Sequence, residues 1–385
     1  MRFYGIISIE PFLIGGLKMD RRIEKLADVL LNYSLKIKKG DKLLISGGEA
    51  TLPLIKAVYK KAIELGAFPQ VDIGIEDLTE MLLKYGSEEQ ITYVPESQKR
   101  AFETVDAILT IWGDVNTRFL TNVDASKMKL RSRGRKELME IFHKRMANKE
   151  LRWCGTQFPT HANAQEASMS LSEYEDFVYG AGFIYEDDPV ARWMQIKKEQ
   201  EKICEYLNKK ETLRIVSKDT DITMSIKGRK WINCCGEENF PDGEVFTSPV
   251  EDSVNGYIRF SFPGIYAGRE IEDIYLEFKD GKVVKAKAAK GEDLLLELLE
   301  TDEGAKFLGE VAIGTNYGIQ KFTKNMLFDE KIGGTIHLAI GRAFPEAGGK
   351  NMSSIHWDML CDMKEEGKIY ADGELIYEKG QFLIK

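Results

Sequence analysis

Between residues 244 and 358, six side chains have types and spacings suited to hydrolytic metal chemistry: Glu244, Glu310, Glu330, His337, His356 and Asp358. The chain has only four histidines, and two of them fall in this acidic, glycine-punctuated region. Imidazole and carboxylate together suit zinc, manganese, cobalt or ferrous iron. A single histidine on a strand is more often a satisfied structural residue, and a His-x-Asp pair also serves as a plain ion pair. The joint pattern favours a metal centre, but spacing alone leaves both readings open.

The elements that must position these groups are short strands. In Ile355 to Leu360 (IHWDML), residues two apart point to one face, so His356 and Asp358 project together while Trp357 packs behind them. His337 lies in another strand-like run, TIHLAI, preceded by Gly333-Gly334. Glu244 opens EVFTSP and Glu310 opens EVAI, each inside a repeated Gly-Glu-Val tripeptide. Ligand-type residues aimed from separate strands are what a centre built on a rigid sheet requires.

Upstream, apolar runs and helical patterns alternate. Strand-like segments at 42–46, 70–75, 106–112 and 151–154 are separated by helical stretches at 54–65, 77–85 and 136–147. That order predicts a parallel sheet covered by helices. After a long charged helix over 192–208, short strands take over, with hairpin signals at Asp280-Gly281 and Asp372-Gly373. The expected class is α/β: an amino-terminal α/β domain with a mainly parallel sheet, then a mixed, largely antiparallel β domain carrying the metal site. The predicted division is a leader over 1–18, an α/β domain over 19–212 and a catalytic domain over 213–385.

At 43% hydrophobic and 30% charged, the composition is that of a soluble globular protein. A formal charge of −8 argues against a nucleic-acid partner, because phosphate binding needs a basic face. The one basic run, Lys127 to Lys136, reads as a solvated helix start. Five cysteines (154, 204, 234, 235 and 361) lack C-x-x-C or framework spacing, which points to a reducing cytoplasm. The apolar leader is interrupted by Glu10-Pro11 and lacks a cleavage site, so the functional start is placed at Met19, with Asp20 capping the first helix. No run of eighteen apolar residues occurs, so a membrane partner is not expected.

The strings PDGEVFTSPVEDSVNG (241–256), FLGEVAIGTN (307–316), FDEKIGGTIHLAIGRAFP (328–345) and SSIHWDM (353–359) resemble the aminopeptidase T/S family of metallopeptidases. DRRIEKLADVLLNYSLKIKKGDKLLISGG (20–48) and TQFPTHANAQEASMSLSEYEDFVYGA (156–181) extend the resemblance over nearly the whole chain from Met19. It implies a homodimeric enzyme with two divalent ions (zinc, cobalt, manganese or magnesium), acting on the amino-terminal residue of short peptides within an enclosed cavity. Carried over by motif, the ligands are Glu244, Glu310, His337, His356 and Asp358, with Glu330 as a sixth. The resemblance also implies that Glu310 carries the proton from an activated water to the leaving amine.

One position departs from the pattern. Seven residues after the first metal histidine, the family has a tyrosine whose hydroxyl supports the tetrahedral intermediate; here that position is Phe344. Arg342 and Tyr317 are the candidate replacement donors. Two further readings compete: a ring-cleaving dioxygenase of the related dihydroxypyridine type, with one iron on His337, His356 and Asp358, and a catalytically impaired family member. His143 and His161 read as mostly structural, although His161 falls within the middle signature, where it would line a substrate path.

Overall fold

The computed structural model describes residues 19–266 and 268–384. The expected leader lies outside them. Asp20 caps the first helix, α1 (Arg21–Val29), its carboxylate accepting from the Arg22 amide at 2.8 Å. Beyond α1 the helix widens into a π-helical turn at Leu30–Ser34.

Four parallel strands follow: β1 (Lys42–Gly48), β2 (Phe68–Gly74), β3 (Ala107–Trp112) and β4 (Arg152–Gln157). They run in the order β2-β1-β3-β4, and the helix over Leu52–Glu64 makes the first crossover. The apolar runs of β1 and β3 are buried on both faces, as a helix-covered parallel sheet demands. The sheet gains a fifth strand from far along the chain. Asn239–Phe240, two residues with no periodic signal, pairs in parallel with β4 and links this unit to the one that follows.

The basic run proves to be the exposed helix Ala125–Gly134, capped by Asp124 and burying no residue; Arg131 and Arg135 turn into a neighbouring cleft. The charged helix spans Pro189–Leu207. Its Trp193 is fully buried, packed at tilted and edge-on angles against Tyr33, Phe183 and Phe240, and its indole donates to the Gly182 carbonyl at 2.9 Å.

Beyond residue 210 the strands form two larger antiparallel sheets, one of eight strands and one of five. Both predicted hairpins are present, with Asp280-Gly281 and Asp372-Gly373 all at positive φ, the conformation of a tight two-residue turn. The five-stranded sheet carries the chemistry. Its order is His356–Asp362, Thr335–Gly341, Leu308–Gly314, Glu244–Thr247 and Ile232–Cys234. One face supplies Val245, Val311, Ile313, Ile336, Leu338, Ile340, Trp357 and Met359 to the main apolar core. The other face is left for the polar residues.

Candidate metal centre

Register places the ligands. Ala312 faces both Phe246 and His337 across the sheet, Ala339 faces Glu310 and Asp358, and Gly341 faces His356. Glu244 faces Gly314. Glu244, Glu310, His337, His356 and Asp358 therefore share one face, with alanine and glycine between them. The small residues leave room above the sheet. Trp357 points the other way, 4% exposed, its indole donating to the Ile265 carbonyl at 3.0 Å.

Two glycines permit the close approach. Gly341 has φ +95°, and a Cβ there would sit 2.1 Å from the Ile355 carbonyl oxygen. Gly243 has φ +125°, and a Cβ there would sit 2.7 Å from Asn316 Cβ. Only glycine tolerates both the backbone and the space. The Glu244 backbone is fixed from behind by buried Gln200, whose amide donates to the Glu244 carbonyl at 2.7 Å. Before the His356 strand, Asp302 accepts from the Ser354 amide and from the Ser353 and Ser354 hydroxyls. Those hydrogen bonds hold its carboxyl far below the usual range.

All six predicted residues meet at one place. His337 Nε2 lies 3.4 Å from Glu244 Oε2, 3.6 Å from Glu310 Oε1 and 4.0 Å from Asp358 Oδ1. His356 Nε2 lies 3.1 Å from Glu310 Oε2 and 3.5 Å from Asp358 Oδ1. Glu330 joins His337 and Asp358 in a third group of ligand atoms, all within 4.8 Å of one another. Glu310 thus presents each of its two oxygens to a different imidazole.

Most of these separations are too long for hydrogen bonds. They match the distance between two ligands on one ion, since atoms about 2.1 Å from a tetrahedral ion lie about 3.4 Å apart. The orphaned atoms agree. Glu244 Oε2, both His337 nitrogens and Asp358 Oδ1 are buried polar atoms without a hydrogen-bond partner. Three of these, Glu244 Oε2, His337 Nε2 and Asp358 Oδ1, face one another, and such a convergence fits a cation better than a rearrangement of the side chains themselves. His356 Nδ1 sits 2.8 Å from the Arg342 carbonyl, which fixes that nitrogen as the donor and leaves the Nε2 lone pair aimed inward.

The field at the centre selects for positive charge. Burial opposes protonation of both imidazoles, but the surrounding carboxylates outweigh it, pushing His337 up to about 10 and His356 up to about 11. Burial raises Glu244 to about 8 and Asp242 to about 6 despite nearby Lys331. A divalent ion supplies the charge these carboxylates call for and leaves ligating imidazoles neutral.

Sequence reasoning missed three contributors. Lys331, 0% exposed, contacts Glu330 and approaches Glu244 Oε1 at 3.7 Å. Burial opposes its charge, yet Glu244, Glu330 and Asp242 hold it well above the ordinary lysine range. Asp242, 2% exposed, accepts from the amides of Gly236 and Gly243. Cys234 approaches Asp242 and Glu244 closely enough to form a further ligand group. Adjacency to Glu330 disguised Lys331 as half of a solvated pair; its fully buried position was not legible in the sequence.

Phe344 lies at the mouth, its ring 5.1 Å edge-on from His356 and 4.9 Å from Phe246. Of the two expected replacement donors, Tyr317 is committed elsewhere, whereas exposed Arg342 spends only its Nε. Tyr317 donates its hydroxyl to the Gly380 carbonyl at 2.8 Å, and Arg342 Nε donates to the Ser353 carbonyl at 3.1 Å. His161 lines a surface cleft with Arg118 and Glu166 that contains none of the six ligands. His143 packs edge-on against Phe142. A cavity of about 1300 Å³ lies elsewhere, between β2 and the helices of the parallel-sheet unit.

A carboxylate–imidazole centre on a rigid antiparallel sheet, beside a helix-covered parallel sheet, defines a metal-dependent hydrolase. Residues 19–382 match the family described as thermophilic metalloprotease (M29), and the chain belongs to that family. It is 28% identical to aminopeptidase 2 of Geobacillus stearothermophilus, over 96% of this chain and 99% of that protein. To aminopeptidase AmpS of Bacillus subtilis it is 26% identical, over 94% and 98%. Among solved structures, wild-type AmpT from Thermus thermophilus superimposes with a TM-score of 0.82 at 25% identity, covering 94% of this chain and 99% of that one. These matches do not favour the ring-cleaving dioxygenase.

Proposed function

We propose that this chain is an aminopeptidase that removes the amino-terminal residue of short peptides, using two divalent ions held by Glu244, Glu310, Glu330, His337, His356 and Asp358. The observation that carries the reading is Glu310, whose two oxygens face two different imidazoles as a bridging ligand would. When bound, the ions (zinc, cobalt, manganese or magnesium) supply Lewis acidity toward the scissile carbonyl and lower the pKa of water.

The chain's own residues do the rest. Glu244, Glu310 and His337 lie deep, whereas the His356 side chain is 26% exposed and marks the entrance beside Phe344. Ligands buried this deep favour a flexible chain end over a folded segment. Its four carboxylates favour a substrate whose α-ammonium lies next to the scissile bond. Glu310, central to both imidazoles, is our choice to carry the proton to the leaving amine.

The relatives' names as aminopeptidases support the same reaction. A homodimer belongs to the reading as well: β2 is an edge strand with Phe68, Val71 and Ile73 exposed, a surface suited to a second copy. A cytoplasmic setting fits five unpaired cysteines. No helix of the described residues is long and apolar enough to cross a membrane.

The test is a panel of aminoacyl-nitroanilides on metal-stripped protein with zinc, cobalt, manganese or magnesium restored. Activity is expected to vanish on stripping, return with an ion, and fall by on the order of a thousandfold in Glu310→Gln. Turnover indifferent to both chelation and Glu310→Gln would overturn the reading.

A further inference from the structure

Lys331 divides the ligand set into two unequal parts. Its side chain is 0% exposed, and its ammonium contacts Glu330 Oε1 and lies 3.7 Å from Glu244 Oε1. It makes no ion pair with Glu310 or Asp358. Its backbone is pinned on both sides: the amide donates to the Phe328 carbonyl, and the carbonyl accepts from the Asn316 amide at 3.0 Å. The ammonium is thus held out of solvent beside these carboxylates.

The ligand atoms gather in overlapping groups, three of them drawn from the proposed ligands: Glu310 with His356 and Asp358, Glu244 with Glu310 and His337, and Glu330 with His337 and Asp358; Cys234, Asp242 and Glu244 form a fourth. The lysine touches a member of the second and of the third group. The first is free of it.

We propose that Lys331 is a built-in cation that makes the two ion positions unequal. The position formed by Glu310, His356 and Asp358 binds a divalent ion tightly. Any position drawing on Glu244 or Glu330 binds weakly, because an ion there shares its carboxylates with an ammonium buried beside them. A carboxylate already donated to by an ammonium has fewer free lone pairs, and the two positive charges repel within a region that excludes water. The same ammonium compensates Glu244, Glu330 and nearby Asp242 when the weak position is empty, so the sheet does not depend on a second ion to neutralise its buried acids. In function, the chain keeps one resident ion and takes up the second reversibly. This inference rests on the two-ion reading above.

Zinc ion titrated into the chelator-stripped full chain by calorimetry, with zinc content measured after dialysis, tests it without recourse to activity. Wild-type protein is expected to show two steps separated by at least about tenfold, and to retain one zinc per chain. Glu244→Gln should weaken or abolish the weak step and leave the tight one. Lys331→Gln should tighten the weak step by on the order of tenfold, so that two zinc survive dialysis. Two equal steps in the wild type would overturn the asymmetry, as would a weak step unchanged or weakened in Lys331→Gln. The latter would make the lysine an orienting partner of Glu330 instead. If Lys331→Gln does not fold, the wild-type and Glu244→Gln titrations still decide. Binding of no zinc by the wild type is a different result, and it would overturn the two-ion reading itself.

Discussion

Phe344 sets the expected rate. Its hydrocarbon ring rests against His356 where the family resemblance implies a hydroxyl, the Tyr317 hydroxyl is committed to Gly380, and Arg342 has already spent its Nε on Ser353. Loss of a single oxyanion donor typically costs about a hundredfold to a thousandfold in turnover. Phe344→Tyr is therefore expected to raise kcat by tenfold or so at nearly unchanged KM, because the new hydroxyl would act on the developing oxyanion and not on the bound peptide. Steady-state kinetics on one aminoacyl-nitroanilide measure this, and a variant no faster than the wild type would show that another donor serves. Phe344 also illustrates legibility at this scale. The departure is visible in the sequence as one letter, but the fate of Arg342 and Tyr317 is not, since neither local run names Ser353 or Gly380 as a partner.

Among the elements, the strands of the metal sheet were legible because they alternate with a period of two, broken only by a bulge between Leu308 and Glu310: ligands on one face, Val, Ile, Leu and Met on the other. The helix Pro189–Leu207 does more than bridge the two units. Gln200 holds the Glu244 backbone, and Trp193 fills the core beneath α1. Trp193→Ala should destabilise the fold by about 3–5 kcal/mol, from lost burial and the cavity left behind. Urea denaturation reads the difference, and a loss below about 1 kcal/mol would mean the site collapses freely. At the edge of the parallel sheet, β2 exposes apolar side chains and leaves one side of its backbone unpaired by another strand. Val71→Asp is expected to convert a dimer to a monomer in light scattering while leaving the fold intact; an unchanged mass would move the interface elsewhere. Asn239–Phe240 could not have been foreseen, because a two-residue strand has no pattern and its parallel pairing with β4 is decided by closure of the chain.

For the whole molecule, the metal centre and the fold support one another. Three orphaned polar atoms, Glu244 Oε2, His337 Nε2 and Asp358 Oδ1, lie on the same sheet that backs the main core, so a bound ion relieves their desolvation only in the folded state. Ligands that bind only the native form stabilise it by about 2.7 kcal/mol at a hundred times their dissociation constant. Calorimetric melting of stripped and zinc-loaded protein should show the loaded form higher by a few degrees, roughly as that linkage predicts. Equal melting points would indicate that ions do not bind the native centre. The net charge of −8 is consistent with a small-molecule or peptide partner and sets no feature of the fold.

The full candidate ligand set was legible only through the family resemblance. By itself the spacing determined the alternation of elements, the turn residues at both hairpins, and the common strand face of His356 and Asp358. Each of those follows from local spacing, where a period of two or a positive-φ glycine leaves little choice. Only the tertiary structure decided that Glu310 faces both imidazoles, that the Arg342 carbonyl sets the His356 tautomer, and that Lys331 lies buried against Glu330 and near Glu244. These relations join residues far apart in the chain or opposite across the sheet. They depend on register and closure, and burial turns an ordinary Glu-Lys pair into a fixed charge at the centre.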